Sequence, residues 1–516
     1  MQVATPRRWS RAATDRAGPA RERARPRPAP EGGRGRWHCS GWFAGSSGSP
    51  RGPLGSLGVA DAPGATSWTT LHGLLIGLLL WAPLPLGSNR PWSWTVLAVA
   101  VGALLLAWCG AELRRPQIRS LPVPVWLAGM LIGGALGWAW FQTLPSGRLA
   151  HPVWSWAAAY APGTAPRPGV DPFAGREALL RFLSYAGVFW LGFALAREGS
   201  AARRLLVAIV AIVAAYAVWG LVRYFAGIEH LFWHVPSPYQ GSLTSTFVNR
   251  NHAATYLSIG AVIAFALLWE RLRRYLAKRR GGAWVAAVGE LMERDAHLVI
   301  ATLCLMVASL LTGSRGGLLG LGVGTTTVLC LGLASARVGF RTGAVVVAVA
   351  LLMGLGLLRL GGDVTLARLA RIDQEIAPAR ENRLALWQNA LDLVGERPLT
   401  GHGYGSFEQL FRLTRDAGFE RVWHAAHNTY LEHAVELGLP ATLALYGGML
   451  LLVVHCARGA RRRRRDQVLP AAAVGVSALV ASHALVDFSL QIPAVAITYA
   501  AIMGIGCAQA VPSARR

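Results

Sequence analysis

RLLVAIVAIVAAYAVWGLVRYF, residues 204–225, is a long apolar run with basic residues only near its ends. A helix rises about 1.5 Å per residue, so about 20 such residues cross the roughly 30 Å hydrocarbon core of a bilayer. Comparable runs recur from about Leu71 onward, near 70–86, 92–109, 122–144, 179–196, 204–225, 252–269, 297–313, 317–336, 342–360, 439–457, 468–487 and 490–508. The pattern predicts an all-α polytopic integral membrane protein of about twelve transmembrane helices. Within segments of this kind a helix is the spanning form that satisfies its own backbone. Composition agrees, with 53% hydrophobic and only 15% charged residues in 516, where soluble domains carry about 25% charged residues.

The formal net charge of +25 does not point to nucleic acid, because the arginines gather in the tail and in short loops rather than on one amphipathic face. Arg114, Arg115 and Arg119 lie in one loop, and Arg197, Arg203 and Arg204 in another. RLRRYLAKRR (271–280), RVGFR (337–341) and RGARRRRR (458–465) follow. These are alternate loops, so the positive-inside rule places that side, and both termini, in the cytoplasm.

Residues 1–67 are rich in Arg, Pro, Gly, Ala and Ser, too poor in aliphatic surface to offset the entropy of ordering. They are expected to form a disordered basic tail, cytoplasmic or else an extension from a misassigned start, without the pattern of a signal peptide. Spans one to nine then fill 68–360, a large loop domain 361–437, spans ten to twelve 438–510, and a short cytoplasmic tail 511–516. Six cysteines show no CxxC or Cys/His metal spacing, so neither a disulfide framework nor a metal site is expected.

The face opposite the basic loops receives three longer segments, about 145–178, 226–251 and 361–437. In the last, ENRLALWQNALDLVGE (381–396) sets Leu384, Trp387, Leu391 and Val394 at helical spacing. Pro398, the glycine turn Gly401-His402-Gly403-Tyr404-Gly405 and a short helix through Phe407, Leu410 and Phe411 follow. Next comes WHAAHNTYLEHAVELGLP (423–440), with His424, His427 and His433 beside Glu432 and Glu436. So polar a run at the mouth of a span is costly unless it works at the water boundary. His427 is thus the first candidate for a reactive group, against a plain interfacial helix.

Arg315, in LLTGSRGGLLG (310–320), stands where two apolar runs meet. A guanidinium suits phosphate or diphosphate, and the competing reading is an arginine snorkelling to headgroups. Arg383 opens the amphipathic helix and alone reads as a solvated charge. The glycine turn lacks the Lys-Ser/Thr of a phosphate loop. In SLTSTFVNRNH (242–252), Asn249, Arg250, Asn251 and His252 are suited to sugar hydroxyls or phosphate, or to capping the span that follows. Asp487 reads as a buried acid or an interface residue.

Together, TSTFVNRNHAATYL (244–257), SRGG (314–317), Arg383-x3-Trp387 with Pro398 and GHGYGSF (401–407), His427-Asn428 ahead of Gly438, and DFSLQIP (487–493) resemble the O-antigen ligase and O-antigen polymerase superfamily of bacterial membrane glycosyltransferases. The chain departs from the ligase-type pattern at Ala441. The resemblance implies a multi-pass protein of the cytoplasmic (inner) membrane with its site on the periplasmic face. It implies an undecaprenyl-diphosphate-linked glycan as donor and transfer to an acceptor hydroxyl on lipid A-core, a growing polysaccharide or a protein, with membrane lipid as the surrounding partner and no cofactor, nucleotide or metal. Carried over, His427 is the base and Arg315 and Arg383 hold the diphosphate, with Asn249, Arg250, Asn251, Asn428 and His424 as candidate glycan contacts. A transporter is the reading of another class. It predicts polar or broken helices in mid-membrane, whereas here the polar groups gather on one face and in one loop.

Overall fold

The computed structural model describes residues 65–114, 116, 120–231, 235–278, 284–335, 383–415, 423–463 and 465–511. Among them the chain forms α1 (Ala65–Trp81), α2 (Pro91–Arg114), α3 (Val123–Gln142), α4 (Val153–Tyr160), α5 (Pro172–Leu195), α6 (Gly199–Phe225), α7 (Arg250–Ala277), α8 (Trp284–Arg294), α9 (Ala296–Leu311) and α10 (Arg315–Ser335). Then follow α11 (383–396), α12 (Phe407–Thr414), α13 (Thr429–Leu437), α14 (Leu439–Arg462), α15 (Val468–His483) and α16 (Pro493–Gln509). No strand is present among the described residues.

Seven of these helices are long and apolar enough to cross a membrane, and α8 with α9, bent by 90°, makes an eighth if the pair counts as one span. Part of α1 (Trp68–Trp81), α15 and α16 are shorter apolar helices. The chain is accordingly a multi-pass membrane protein. The expected ninth span (342–360), the tail up to residue 64, and residues 361–382 and 416–422 of the expected loop domain lie outside the described residues.

The helix ends depart from the apolar runs in ways that have physical causes. α1 stops at Trp81, ahead of Pro83 and Pro85, neither of which can donate to a helical ladder. α7 continues to Ala277 because RLRRYLA is made of good helix formers. Glu270 on that extension pairs with Arg203 at 2.7 Å and Arg274 at 2.8 Å. α15 ends at His483 rather than near 487, so Asp487 belongs to the turn before the short 3-10 segment Ser489–Gln491.

α7 is the central pillar, since 89% of its apolar window is buried, against 22% for α2 and for α3 at the rim. Around it α16 packs on α5, α10 on α15, and α14 on α3. The closest crossing is glycine-made: a Cβ at Gly504 would lie 2.1 Å from the Phe189 carbonyl oxygen. Without a hydrophobic gradient between helices, such backbone contact supplies the packing.

On one face the loops lock onto the start of α14. Gln142, at the end of α3, donates to the carbonyls of Thr400 (2.8 Å) and Glu436 (2.9 Å) and accepts from the Tyr404 amide (3.1 Å). The glycine turn lies against the end of α13, with His402 N donating to Val435 O and Gly403 N to Glu436 O, both at 2.9 Å. Gly401 has φ +64°, and a Cβ there would stand 2.3 Å from Glu436 O and 2.5 Å from Gly438 N. Only glycine fits.

His402 also anchors the 143–171 loop. Its Nε2 lies 2.9 Å from Leu393 O, which makes Nε2 the donor and Nδ1 the acceptor, so His151 Nε2, 3.0 Å away, donates to it. His151 Nδ1 accepts from the Val153 amide at 3.2 Å. Both rings are neutral in this arrangement. Burial, then the neighbouring His402 and Arg397, lowers His151 to about 4, and burial also lowers His402.

Two predictions follow from this lock. Gly401→Ala should lower the thermal midpoint in detergent by several degrees, for a strain of about 1–3 kcal/mol, while Gly395→Ala, with open space around its Cβ, should leave it unchanged. His151 binds a proton only in the unfolded chain between about pH 6.5 and about 4, and His402 is shifted in the same direction, so stability should fall as pH drops through that window. A thermal melt series should show this fall, made shallower by His402→Asn.

Candidate functional site

The site is built where α13 begins. The Asn428 side-chain oxygen accepts from the amides of Tyr430 and Leu431, both at 3.1 Å, and so starts the helix at Thr429. Thr429 ties this helix end to the turn after α15: its amide donates to Ala484 O and its hydroxyl to Asp487 O, both at 2.9 Å. His427 therefore precedes the N-cap rather than sitting in the first helical turn. Its φ is +51°, a left-handed conformation that is uncommon outside glycine, asparagine, aspartate and histidine.

That strained position is held from both sides. The Ala426 amide donates to Glu432 Oε2 at 2.7 Å, and the Ala426 carbonyl accepts from Trp387 Nε1 at 2.9 Å. The other Glu432 oxygen accepts from Gln491 Nε2 at 2.7 Å. Burial, with the nearby Asp487, raises the Glu432 carboxyl to about 7 against these donors.

The His427 ring rests edge-on against Trp423, with centroids 5.3 Å apart, and against Phe488 at 4.9 Å. Its Nδ1 faces Asp487 Oδ1 at 3.4 Å, with 16% of the His427 side chain and 1% of the Asp487 side chain exposed. Asp487 also takes the Asn251 side-chain amide at 3.4 Å and the Ser489 hydroxyl. His252 Nε2 stands 3.8 Å from its second oxygen. Burial works to raise this carboxyl, but the His427 and Ser489 hydrogen bonds and the neighbouring His252 and His483 outweigh it and hold Asp487 below the usual carboxylate range. An ionised, buried carboxylate thus fixes Nδ1 of His427 as the proton-bearing nitrogen and leaves Nε2 as the basic one.

Arg315 is the first residue of α10 and is exposed. Its turn packs against the same region, because Cβ atoms at Gly316 would lie 2.8 Å from His483 and 3.0 Å from Val486. Arg250 reaches the same turn: its Nη1 lies 3.8 Å from where a Gly313 Cβ would be, and its guanidinium lies over Tyr239 at 5.6 Å. Arg383 begins the described part of α11, one helical turn before Trp387 and so on the same face.

The structure thus sets His427 and Asn251 against Asp487 and packs the turn that carries Arg315, which Arg250 also reaches, against the neighbouring Val486, while Arg383 lies one helical turn from Trp387 with no contact to Asp487 shown. It gives Asn249 and Asn428 a helix-capping task, Asn249 accepting from Asn251 N at 2.8 Å. His424 is set apart, 70% exposed and paired with Glu408 at 2.9 Å. Three groups escaped sequence reasoning. Phe488 stands between the His252 and His427 rings, Gln491 steadies Glu432, and Trp423 walls the imidazole. The first two lie inside DFSLQIP, so the motif was visible but its contacts were not. Among the described residues no group of three His, Cys, Asp or Glu is placed to hold a metal ion.

No curated protein matches the chain. A family model does, over residues 300–446, which hold Arg315, Arg383 and His427 but neither 249–251 nor Asp487. That family is described as Wzy_C, O-Antigen ligase, and the match supports membership of this chain in the O-antigen ligase superfamily.

Proposed function

We propose that the chain is an O-antigen-ligase-like glycosyltransferase of the bacterial inner membrane, acting on the periplasmic face. The donor is a glycan on undecaprenyl diphosphate and the acceptor a hydroxyl group. The observation that carries this reading is the His427–Asp487 pair at 3.4 Å, with the turn that leads into Arg315 packed on the adjacent Val486.

The chemistry needs little else. No ATP is available outside the cytoplasmic membrane, so the driving force resides in the donor's phosphate ester linkage. His427 Nε2 takes the proton from the acceptor hydroxyl, whose oxygen forms the new bond to the anomeric carbon as the bond to the diphosphate oxygen breaks. Asp487 stabilises the imidazolium formed, in the manner of a carboxylate behind a catalytic histidine. Arg315 and Arg383 hold the departing diphosphate as its charge develops, and Arg250 stands close enough to the Arg315 turn to join them. The single displacement inverts the anomeric configuration.

His427→Asn is the informative variant, because asparagine tolerates the left-handed backbone that most residues do not. Transfer should fall about 10²–10⁴-fold, the usual contribution of a positioned general base, while the protein level stays normal. Envelope glycans run on a gel should show lipid-linked polymer accumulating beside bare lipid A-core for a ligase. Single repeat units on the carrier would instead mark a polymerase of the same superfamily. An unchanged glycan pattern at normal protein level would overturn the assignment of His427. Asp487→Asn should lower kcat and shift the acidic limb of the pH–rate profile, since it removes the charge that supports the imidazolium. A stability loss with no change in that limb would leave Asp487 a purely structural residue.

A further inference from the structure

The first turn of α7 reaches Asp487 with two consecutive residues, one on each carboxylate oxygen. The Asn251 side-chain amide stands 3.4 Å from Oδ1, and His252 Nε2 stands 3.8 Å from Oδ2. With 89% of its apolar window buried, α7 makes this turn a fixed support. Oδ1 also faces His427 Nδ1, and Oδ2 takes the Ser489 hydroxyl. Ser489 lies two residues on in the same turn as Asp487 and moves with it. Among the described residues, His252 is therefore the group that ties Oδ2 to another element.

His252 is placed for that contact. Its side chain is 7% exposed, and Nε2 is buried without a hydrogen-bond partner among the described residues. Buried polar atoms are seldom left unpaired, and Asp487 Oδ2 is the acceptor this one faces. Opposite an ionised carboxylate the ring turns an N–H rather than a lone pair, so Nε2 bears the proton. At 3.8 Å the pair is longer than a hydrogen bond, and contacts of this kind tighten when the reacting complex forms. Phe488 keeps the two imidazoles in one frame, edge-on to His252 at 4.8 Å and to His427 at 4.9 Å. His483, the third histidine of the cluster, is engaged elsewhere, with Nδ1 2.6 Å from Thr255 Oγ1.

We propose that His252 is a positioning residue of the transfer reaction. Held in the first turn of α7, it keeps Oδ2 of Asp487 in place, so that Oδ1 stays turned to His427 Nδ1 and supports the imidazolium formed during transfer. His252 touches no substrate in this role. The proposal rests on the reading of His427 and Asp487 given above, and adds to it a histidine that acts through the carboxylate.

The test compares initial rates of glycan transfer in cell envelopes, with their own lipid-linked donor and acceptor, carrying each variant at equal protein level. His252→Phe keeps a ring against Phe488 and removes the N–H, whereas His252→Gln restores an N–H near the Nε2 position. His252→Phe should lower the rate about ten-fold and His252→Gln by no more than about two-fold, within the range of couplings in one hydrogen-bond network. A loosened Asp487 gives the imidazolium less support, so the acidic limb of the pH–rate profile should move to lower pH in His252→Phe. In an Asp487→Asn background, His252→Phe should change the rate less than about two-fold, because the group it acts through is gone. An acidic limb that stays at its wild-type position, equal losses in the two single variants, or a loss of about ten-fold that persists beside Asp487→Asn would each overturn the role of His252. The two readings fail separately. Wild-type rate and limb in Asp487→Asn would overturn the His427–Asp487 pair itself, whereas an Asp487→Asn variant that behaves as expected beside a wild-type-like His252→Phe would overturn His252 alone.

Discussion

The site face depends on how a nine-residue helix disposes of two buried carboxyl groups. α13 carries Glu432 and Glu436 one turn apart, and neither has a salt bridge among the described residues. Each instead accepts from the backbone of another segment: Glu432 from Ala426, and Glu436 from Phe407 at the start of α12. Burying a carboxyl is tolerable when its oxygens are hydrogen-bonded, and burial raises both groups toward the neutral form. The two glutamates therefore act as clamps. One fixes the loop before His427 and the other joins the glycine turn, so the position of the imidazole and the docking of α12 share one short element.

Charge is sorted on either side of that element. The Arg250 guanidinium reaches the glycine-rich turn that leads into Arg315 and α10, and that turn packs on His483 and Val486, next to Asp487. A cavity between α3, α5, α14 and α16 is lined by carboxyls, tyrosines and apolar helix faces. The short side chains of the SRGG turn let an arginine sit close to backbone without being buried.

Much of this was legible in the sequence. The apolar runs gave the helical class, and the motifs holding Arg315, Arg383 and His427 were visible because polar residues at a span boundary stand out. Two kinds of feature were not. Extended helices such as the end of α7 and the whole of α8 are too charged to register as apolar runs, and their stability comes from propensity and ion pairs. Contacts across long separations, such as Trp387 with Ala426 or Gln142 with Thr400 and Glu436, leave no local signal. Gln142 looks like the polar end of a span and is in fact the peg that three loop segments share. Asn249 illustrates the reverse case, because the sequence offered capping and sugar binding as equals and the structure uses its oxygen as a cap.

The right angle between α8 and α9 also has a metric meaning. With α9 upright in the bilayer, α8 lies in the plane of the interface, and its exposed Val285, Val288 and Met292 give it purchase there. α9 has 16 residues, a rise of about 24 Å, and the turn above it carries Arg315. The hydrocarbon core measures about 30 Å. An upright α9 starting at that interface therefore falls about one helical turn short of the far headgroups, and the turn that follows it into Arg315 begins at that depth.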